Sequence, residues 1–232
     1  MSFDQIELSL SNIKENVHKA CIESGRDPSG VNILAVSKGQ SIDAIKEAYR
    51  VGHHNFGENY LQEAKKKIDR VSIANWHFIG AIQSNKTKEI AKNFDWVHSV
   101  DSEKLARRLS EHRDPKRGKL KIFIQVNTSE EQQKRGVPPN EVYALAEKIS
   151  SFSNISLVGL MTISAQNQDE ISATRCFQNL RKISEQLSSH LGLREGLQLS
   201  MGMSNDYVSA IKEGSTWVRL GTLIFGGRDK HL

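Results

Sequence analysis

The sequence predicts a (β/α)8 barrel, on three observations. Short apolar runs alternate with amphipathic helix-like runs from one end of the chain to the other. Eight such units fit the 232 residues, at about 29 residues each, the usual barrel size. An extra amphipathic helix also leads the first strand, with Ile6, Leu10, Ile13, Val17 and Cys21 on one face, while only "GGRDKHL" follows the eighth. In a closed barrel the leading helix can cover the face that a missing last helix would leave bare. A doubly wound open sheet is the alternative, because the second strand is short and polar.

Strands are expected at 31–37, 54–58, 75–80, 95–100, 120–127, 156–162, 197–201 and 216–225. The first contains four consecutive apolar residues, Ile33 to Val36, as a strand buried on both faces requires. Helices are expected at 41–50, 59–70, 84–93, 101–113, 139–151, 169–191 and 204–212. Ser41, Asn59, Ser84, Asp101 and Ser204 stand where side-chain caps belong. The longest helix carries Ala173, Phe177, Leu180, Leu187 and Leu191 on one stripe, fit to lie on a sheet. No linker, low-complexity segment or internal repeat interrupts the pattern, so residues 1–232 are expected to form a single domain.

Composition narrows the function classes. With 38% hydrophobic and 25% charged residues the chain has the make-up of an ordinary soluble domain. The net charge of +5 is mild and its lysines are interleaved with acids, as in "QEAKKKIDR", which reads as the solvated face of a helix. No clustered basic stripe is present, so a nucleic-acid partner is not expected. Cys21 and Cys176 are far apart and form no C-x-x-C motif, which favours a reducing compartment. No signal peptide is legible, and no apolar run approaches the ~20 residues of a membrane span. A cytoplasmic location is expected.

Barrel active sites lie at the C-terminal ends of the strands. Strand one stops at Lys38, a residue type that strands tend to exclude. Pointing into the barrel mouth, Lys38 is a candidate Schiff-base nucleophile. A solvated lysine is neutral only about once in 2,500 molecules at pH 7, and burial or a nearby cation raises that fraction. Barrels often bind phosphate between the loops after strands seven and eight. Here "LSMGMSND" supplies Gly202 and Ser204, read as an N-cap, and "RLGT" supplies Gly221 and Thr222. Arg219 sits two residues before Gly221 and so shares its face. A lysine, a phosphate cup and an arginine together fit pyridoxal 5'-phosphate (PLP). His53 and His54 are adjacent and His77 and His98 lie on separate strands, with no ligand spacing, so no metal is expected.

"AVSKGQ", "FGENYLQE", "WHFIGAIQSNK", "GLMTI", "LSMGMSNDY" and "GSTWVRLGTLIFGGRD" closely resemble motifs of the YggS/PROSC family of PLP homeostasis proteins, which are similar to the barrel domain of alanine racemase. The resemblance implies PLP held reversibly as a Schiff base on Lys38, with Arg219 facing the ring nitrogen. It implies phosphate on Ser204, Gly221 and Thr222, helped by the backbone around Met203. Asn59 and Ser200 are implied to lie close to the cofactor, with His77 and Met161 as outer neighbours. "SKGQ" departs slightly from the more usual "SKTK" or "SKTQ".

A racemase needs an acid–base group on each face of its cofactor. In alanine racemase the opposing tyrosine comes from a further domain of a partner subunit, for which this sequence shows no counterpart. Its four tyrosines fall on expected helices, with Tyr60 and Tyr207 nearest the site. The expectation is therefore a PLP carrier of vitamin B6 homeostasis, a monomer, without vigorous catalysis, with PLP-dependent apo-enzymes as recipients. A slow PLP-dependent racemase is the alternative, and a cofactor-free Schiff-base aldolase a third reading.

Overall fold

The computed structural model describes residues 3–129, 135–164 and 169–227. Eight parallel strands close into a barrel in the order β1-β2-β3-β4-β5-β6-β7-β8. They are β1 (Asn32–Val36), β2 (Asn55–Glu58), β3 (Asn75–Phe78), β4 (Trp96–Val100), β5 (Leu120–Gln125), β6 (Ile155–Met161), β7 (Gln198–Met203) and β8 (Trp217–Leu220). Around them run α1 (Phe3–Glu23), α2 (Ile42–Arg50), α3 (Leu61–Ile68), α4 (Thr87–Asn93), α5 (Glu103–His112), α6 (Val142–Ser150), α7 (Glu170–His190), α8 (Tyr207–Lys212) and α9 (Thr222–Phe225). The barrel rather than the open sheet is formed, because β1 pairs with both β2 and β8.

Strand alternation separates two cores. Outward residues such as Ala35, Phe56, Trp76, Phe78, Ile122, Leu160 and Val218 join the helices' apolar stripes in one continuous layer. Inward residues Leu34, Phe123, Met161 and Trp217 form a second cluster that fills the barrel. His77, fully buried, stacks on Trp96, and His98 on Phe123, so the lower interior is solid with rings. Helix α1 buries Ile6, Leu10, Ile13, Val17 and Cys21, and packs on α2, α8 and α9. It thus covers the seam where β8 meets β1, as expected from its stripe.

Several boundaries differ from the expectation, each for a local reason. Strand β8 stops at Leu220, because Phe225 N–H bonds to Gly221 O and Gly226 N–H to Thr222 O, turning the next residues into α9. Helix α3 begins at Leu61 because Tyr60 is extended, so Asn59 is not its cap. Helix α8 begins at Tyr207 behind a turn, so Ser204 is not its cap either. Ser41 caps α2 by accepting from Ala44 N–H, and Asp169 caps α7 by accepting from Ser172 N–H.

One irregularity shapes the upper rim. The β7–β8 register runs from Ser200↔Trp217 to Met203↔Arg219, so β7 carries one extra residue there. Gly202 sits within this bulge at φ +90, and a Cβ on it would lie 2.5 Å from the Ala210 Cβ. Only glycine fits both the backbone sign and the contact with α8. The bulge turns the strand end so that Met203 and Ser204 face the barrel mouth.

Candidate functional site

Successive inward positions of β1 climb from Leu34 through Val36 to Lys38, which has passed the strand end and looks into a cavity of about 870 Å³. Of the eight residues expected at the site, Lys38, Asn59, Met203, Ser204, Arg219, Gly221 and Thr222 line this cavity, as does Met161. The eighth, Ser200, is fully buried and lies outside the lining, with its carbonyl and hydroxyl both accepting from Arg219. His77 lies deeper still. The far wall comes from α7 and α8, with Glu170, Ala173, Val208 and Ser209.

The phosphate-cup residues converge. Thr222 Oγ1 lies 3.1 Å from Ser204 Oγ, so hydroxyls from the β7 and β8 loops meet at one point. Gly221 brings the chain close to β1, where an added Cβ would stand 3.2 Å from Val36 O. Met203 N–H is occupied, donating to Asp206 Oδ1 at 2.5 Å, and Ser164 Oγ donates to Asp206 Oδ2 at 2.5 Å. An anion seeking the Met203 amide competes with that carboxylate. Asn59 Oδ1 is buried without a hydrogen-bond partner among the described residues, an acceptor that matches a ligand donor.

Arg219 crosses the cavity floor. Its Nη1 donates to Ser200 O at 2.7 Å and to Ser200 Oγ at 3.0 Å, and Nη2 donates to Thr162 O at 2.8 Å. Burial pushes its pKa down to about 10, with Asp206 pulling it back up, so it stays a cation at neutral pH. A guanidinium has donors and no acceptor.

Behind Lys38, on the outer side of the strand, lies a group that the sequence reading missed. Lys67 of α3 is buried and donates to Ser37 O at 2.6 Å, Glu58 Oε1 at 2.8 Å and Glu63 Oε1 at 2.6 Å. Ser37 Oγ donates to Glu58 Oε1 at 2.5 Å, and Gly39 N–H to Glu63 Oε1 at 2.6 Å. Both chain neighbours of Lys38 are therefore pinned. Burial pushes the Glu58 carboxyl above its usual range, with Lys67 and Ser37 drawing it back. The run "QEAKKKIDR" is thus not wholly a solvated face, and the signal was present: Lys67 falls three residues after Ala64 and six after Leu61, on the buried stripe.

A closed (β/α)8 barrel with a lysine, an arginine and converging hydroxyls at its C-terminal mouth is the class that fold and site define. The model of the family "Alanine racemase, N-terminal domain" matches residues 8–229. A "Pyridoxal phosphate homeostasis protein" of Pseudomonas aeruginosa is 45% identical over 223 residues, covering 95% of each chain. PipY of Synechococcus elongatus, whose structure was solved with PLP bound, is 33% identical with a TM-score of 0.82, covering 95% of this chain and 100% of its own. Alanine racemase of Clostridium difficile, at 15% identity and a TM-score of 0.74, shares the fold over 98% of this chain and 58% of the racemase. The chain belongs to the alanine racemase N-terminal-domain family and, within it, to the pyridoxal phosphate homeostasis proteins. Among the described residues no helix is long and apolar enough to cross a membrane.

Proposed function

We propose that this protein binds PLP in the barrel-mouth cavity and holds it reversibly as a Schiff base on Lys38, serving intracellular vitamin B6 homeostasis without vigorous catalysis. The observation that carries the reading is the convergence of Lys38, Arg219 and the Ser204 and Thr222 hydroxyls on one cavity. The PLP-bound structure of PipY, 33% identical, supports it. PLP supplies an aldehyde that combines reversibly with an amine.

In this reading Lys38 offers that amine, and its pinned neighbours keep it aimed into the cavity. Ser204 and Thr222 bind the phosphate, with Gly221 allowing close approach and Met203 N–H available once Asp206 yields it. Asn59 Oδ1 accepts from a ligand hydroxyl. Arg219 donates to the ring nitrogen and leaves it unprotonated, which weakens the ring as an electron sink. Ser200 acts from beneath, by holding Arg219. Tyr60 is 64% exposed and Tyr207 packs in the core, and neither lines the cavity, which favours holding over racemisation. Residues 1–232 act as one domain and as a monomer in the cytoplasm, with PLP-dependent apo-enzymes as recipients.

The test is the visible absorption spectrum with added PLP, before and after borohydride, for wild type and Lys38→Ala. A band that borohydride removes, with the reduced adduct on Lys38, is expected. No band and an unmodified Lys38 would overturn the reading. Alanine or serine turnover well above that of free PLP, lost in Lys38→Ala, would replace the carrier with an enzyme.

A further inference from the structure

Beneath the cavity the Arg219–Ser200 contact continues into a hydrogen-bonded chain whose two histidines the proposed function does not use. Arg219 Nη1 reaches Ser200 Oγ at 3.0 Å, Ser200 Oγ lies 2.8 Å from His98 Nδ1, and His98 Nε2 lies 3.0 Å from His77 Nδ1. Ser200, His98 and His77 are completely buried, and Arg219 nearly so. His77 Nε2 has no partner among the described residues.

We propose that His98 is a positioning residue: acting through the Ser200 hydroxyl, it fixes the direction of this chain and so the seat of the Arg219 guanidinium. The argument is a count of protons. Arg219 can only donate, so Ser200 Oγ accepts from it. The Ser200 hydroxyl proton then needs an acceptor, and the one its hydrogen bonds offer is His98 Nδ1. His98 must in turn carry its proton on Nε2 and donate to His77 Nδ1, which leaves His77 with its proton on Nε2. Every bond points away from the cation, and one buried group ends unpaired. The opposite direction would leave two unpaired, the Ser200 hydroxyl proton and the His77 Nε2 lone pair, and would aim an N–H dipole back towards a buried cation.

The partners that Arg219 makes in this seat are all neutral: two carbonyls and a hydroxyl. Its placement therefore depends on those acceptors keeping their geometry. His98 secures the hydroxyl, and the stacking of His98 on Phe123, with ring centroids 4.2 Å apart, holds His98 itself. The consequence for the cofactor rests on the PLP reading above, because Arg219 is the residue taken to face the ring nitrogen.

Two measurements test this. In ligand-free wild type, 15N-histidine NMR should show His77 and His98 both neutral with the proton on Nε2; a proton on Nδ1 of His98 would overturn the proposal. In the full-length protein, His98→Phe keeps the ring stack and removes the acceptor. It should weaken PLP binding about tenfold and move the absorption maximum of the bound form. His98→Gln, whose amide oxygen can accept from Ser200 and whose NH2 can donate to His77, should restore both. A His98→Phe protein with wild-type affinity and spectrum would sink the idea, and if that variant does not fold, the tautomer in wild type decides. A wild type that takes up no PLP counts against the proposed function, while the tautomer measurement still decides the direction of the chain.

Discussion

Replacing Lys67 by methionine removes the ammonium that sits between Glu58, Glu63 and Ser37 O while leaving the side-chain volume nearly unchanged. Lys67 is 4% exposed and Glu58 0%, so no water stands ready to take over. Breaking a buried pair by deleting one partner costs about 3–5 kcal/mol. For a chain of this size that corresponds to roughly 6–20 °C in Tm. The loss depends on pH in a defined sense. Burial already raises Glu58 above its usual carboxylate range, and removing Lys67 raises it further. A carboxyl raised in the fold contributes its stability while protonated, and that contribution disappears as pH climbs through the folded value. The penalty of Lys67→Met should therefore be larger at pH 8 than at pH 5, and Glu58→Gln in the same chain should recover part of it at pH 8. The assay is urea unfolding of the single and double variants at both pH values. A single variant within about 1 kcal/mol of wild type, or a penalty that does not grow with pH, would refute the reasoning.

Three further outcomes are expected. Ser204→Ala and Thr222→Ala should each weaken PLP roughly 10- to 100-fold, from the 1.5–3 kcal/mol of a hydrogen bond to a charged group, yet barely affect pyridoxal; equal losses for both vitamers in an equilibrium titration would remove these hydroxyls from the phosphate site. Gly202→Ala should destabilise the fold by about 1–3 kcal/mol, read by urea unfolding, because φ is +90 and the added Cβ meets Ala210. His53 is buried with its Nε2 bonded to Asn55 O at 2.9 Å, and burial pushes its pKa from 6.5 down to about 4. Its contribution is complete above pH 6.5 and drains away as pH falls towards 4, roughly 3 kcal/mol in all. His53→Gln should flatten that acid arm in a stability–pH profile, and an unchanged arm would place the titration elsewhere.

The barrel was legible because its signals are local. Apolar runs, helical stripes and caps such as Ser41 report on their own few residues, and the leading helix announced its buried face through Ile6, Leu10, Ile13 and Val17. The strand-end lysine and the glycines near it were legible for the same reason. Less legible were features created by pairing distant segments. Whether Met203 N–H is open or taken by Asp206 depends on a turn conformation that composition does not dictate. His77 and His98 read as unrelated residues on two strands because their contact depends on barrel shear and stagger. Lys67 is hidden in a run of charges that mostly face solvent, although its place on the Leu61–Ala64 stripe argues for burial.

The ring-filled interior has a consequence for traffic. With Leu34, Phe123, Trp217 and the histidines occupying the lower barrel, the tunnel that eight strands enclose is a blind one. Among the described residues, the filled floor closes the barrel's lower end, so what enters past Ile163 and Val208 leaves from the strand-end side. On the proposed function, bound PLP therefore cannot be pushed through the filled barrel floor by its successor. Turnover of the contents is first out, then in, so its ceiling is the rate at which the occupant lets go.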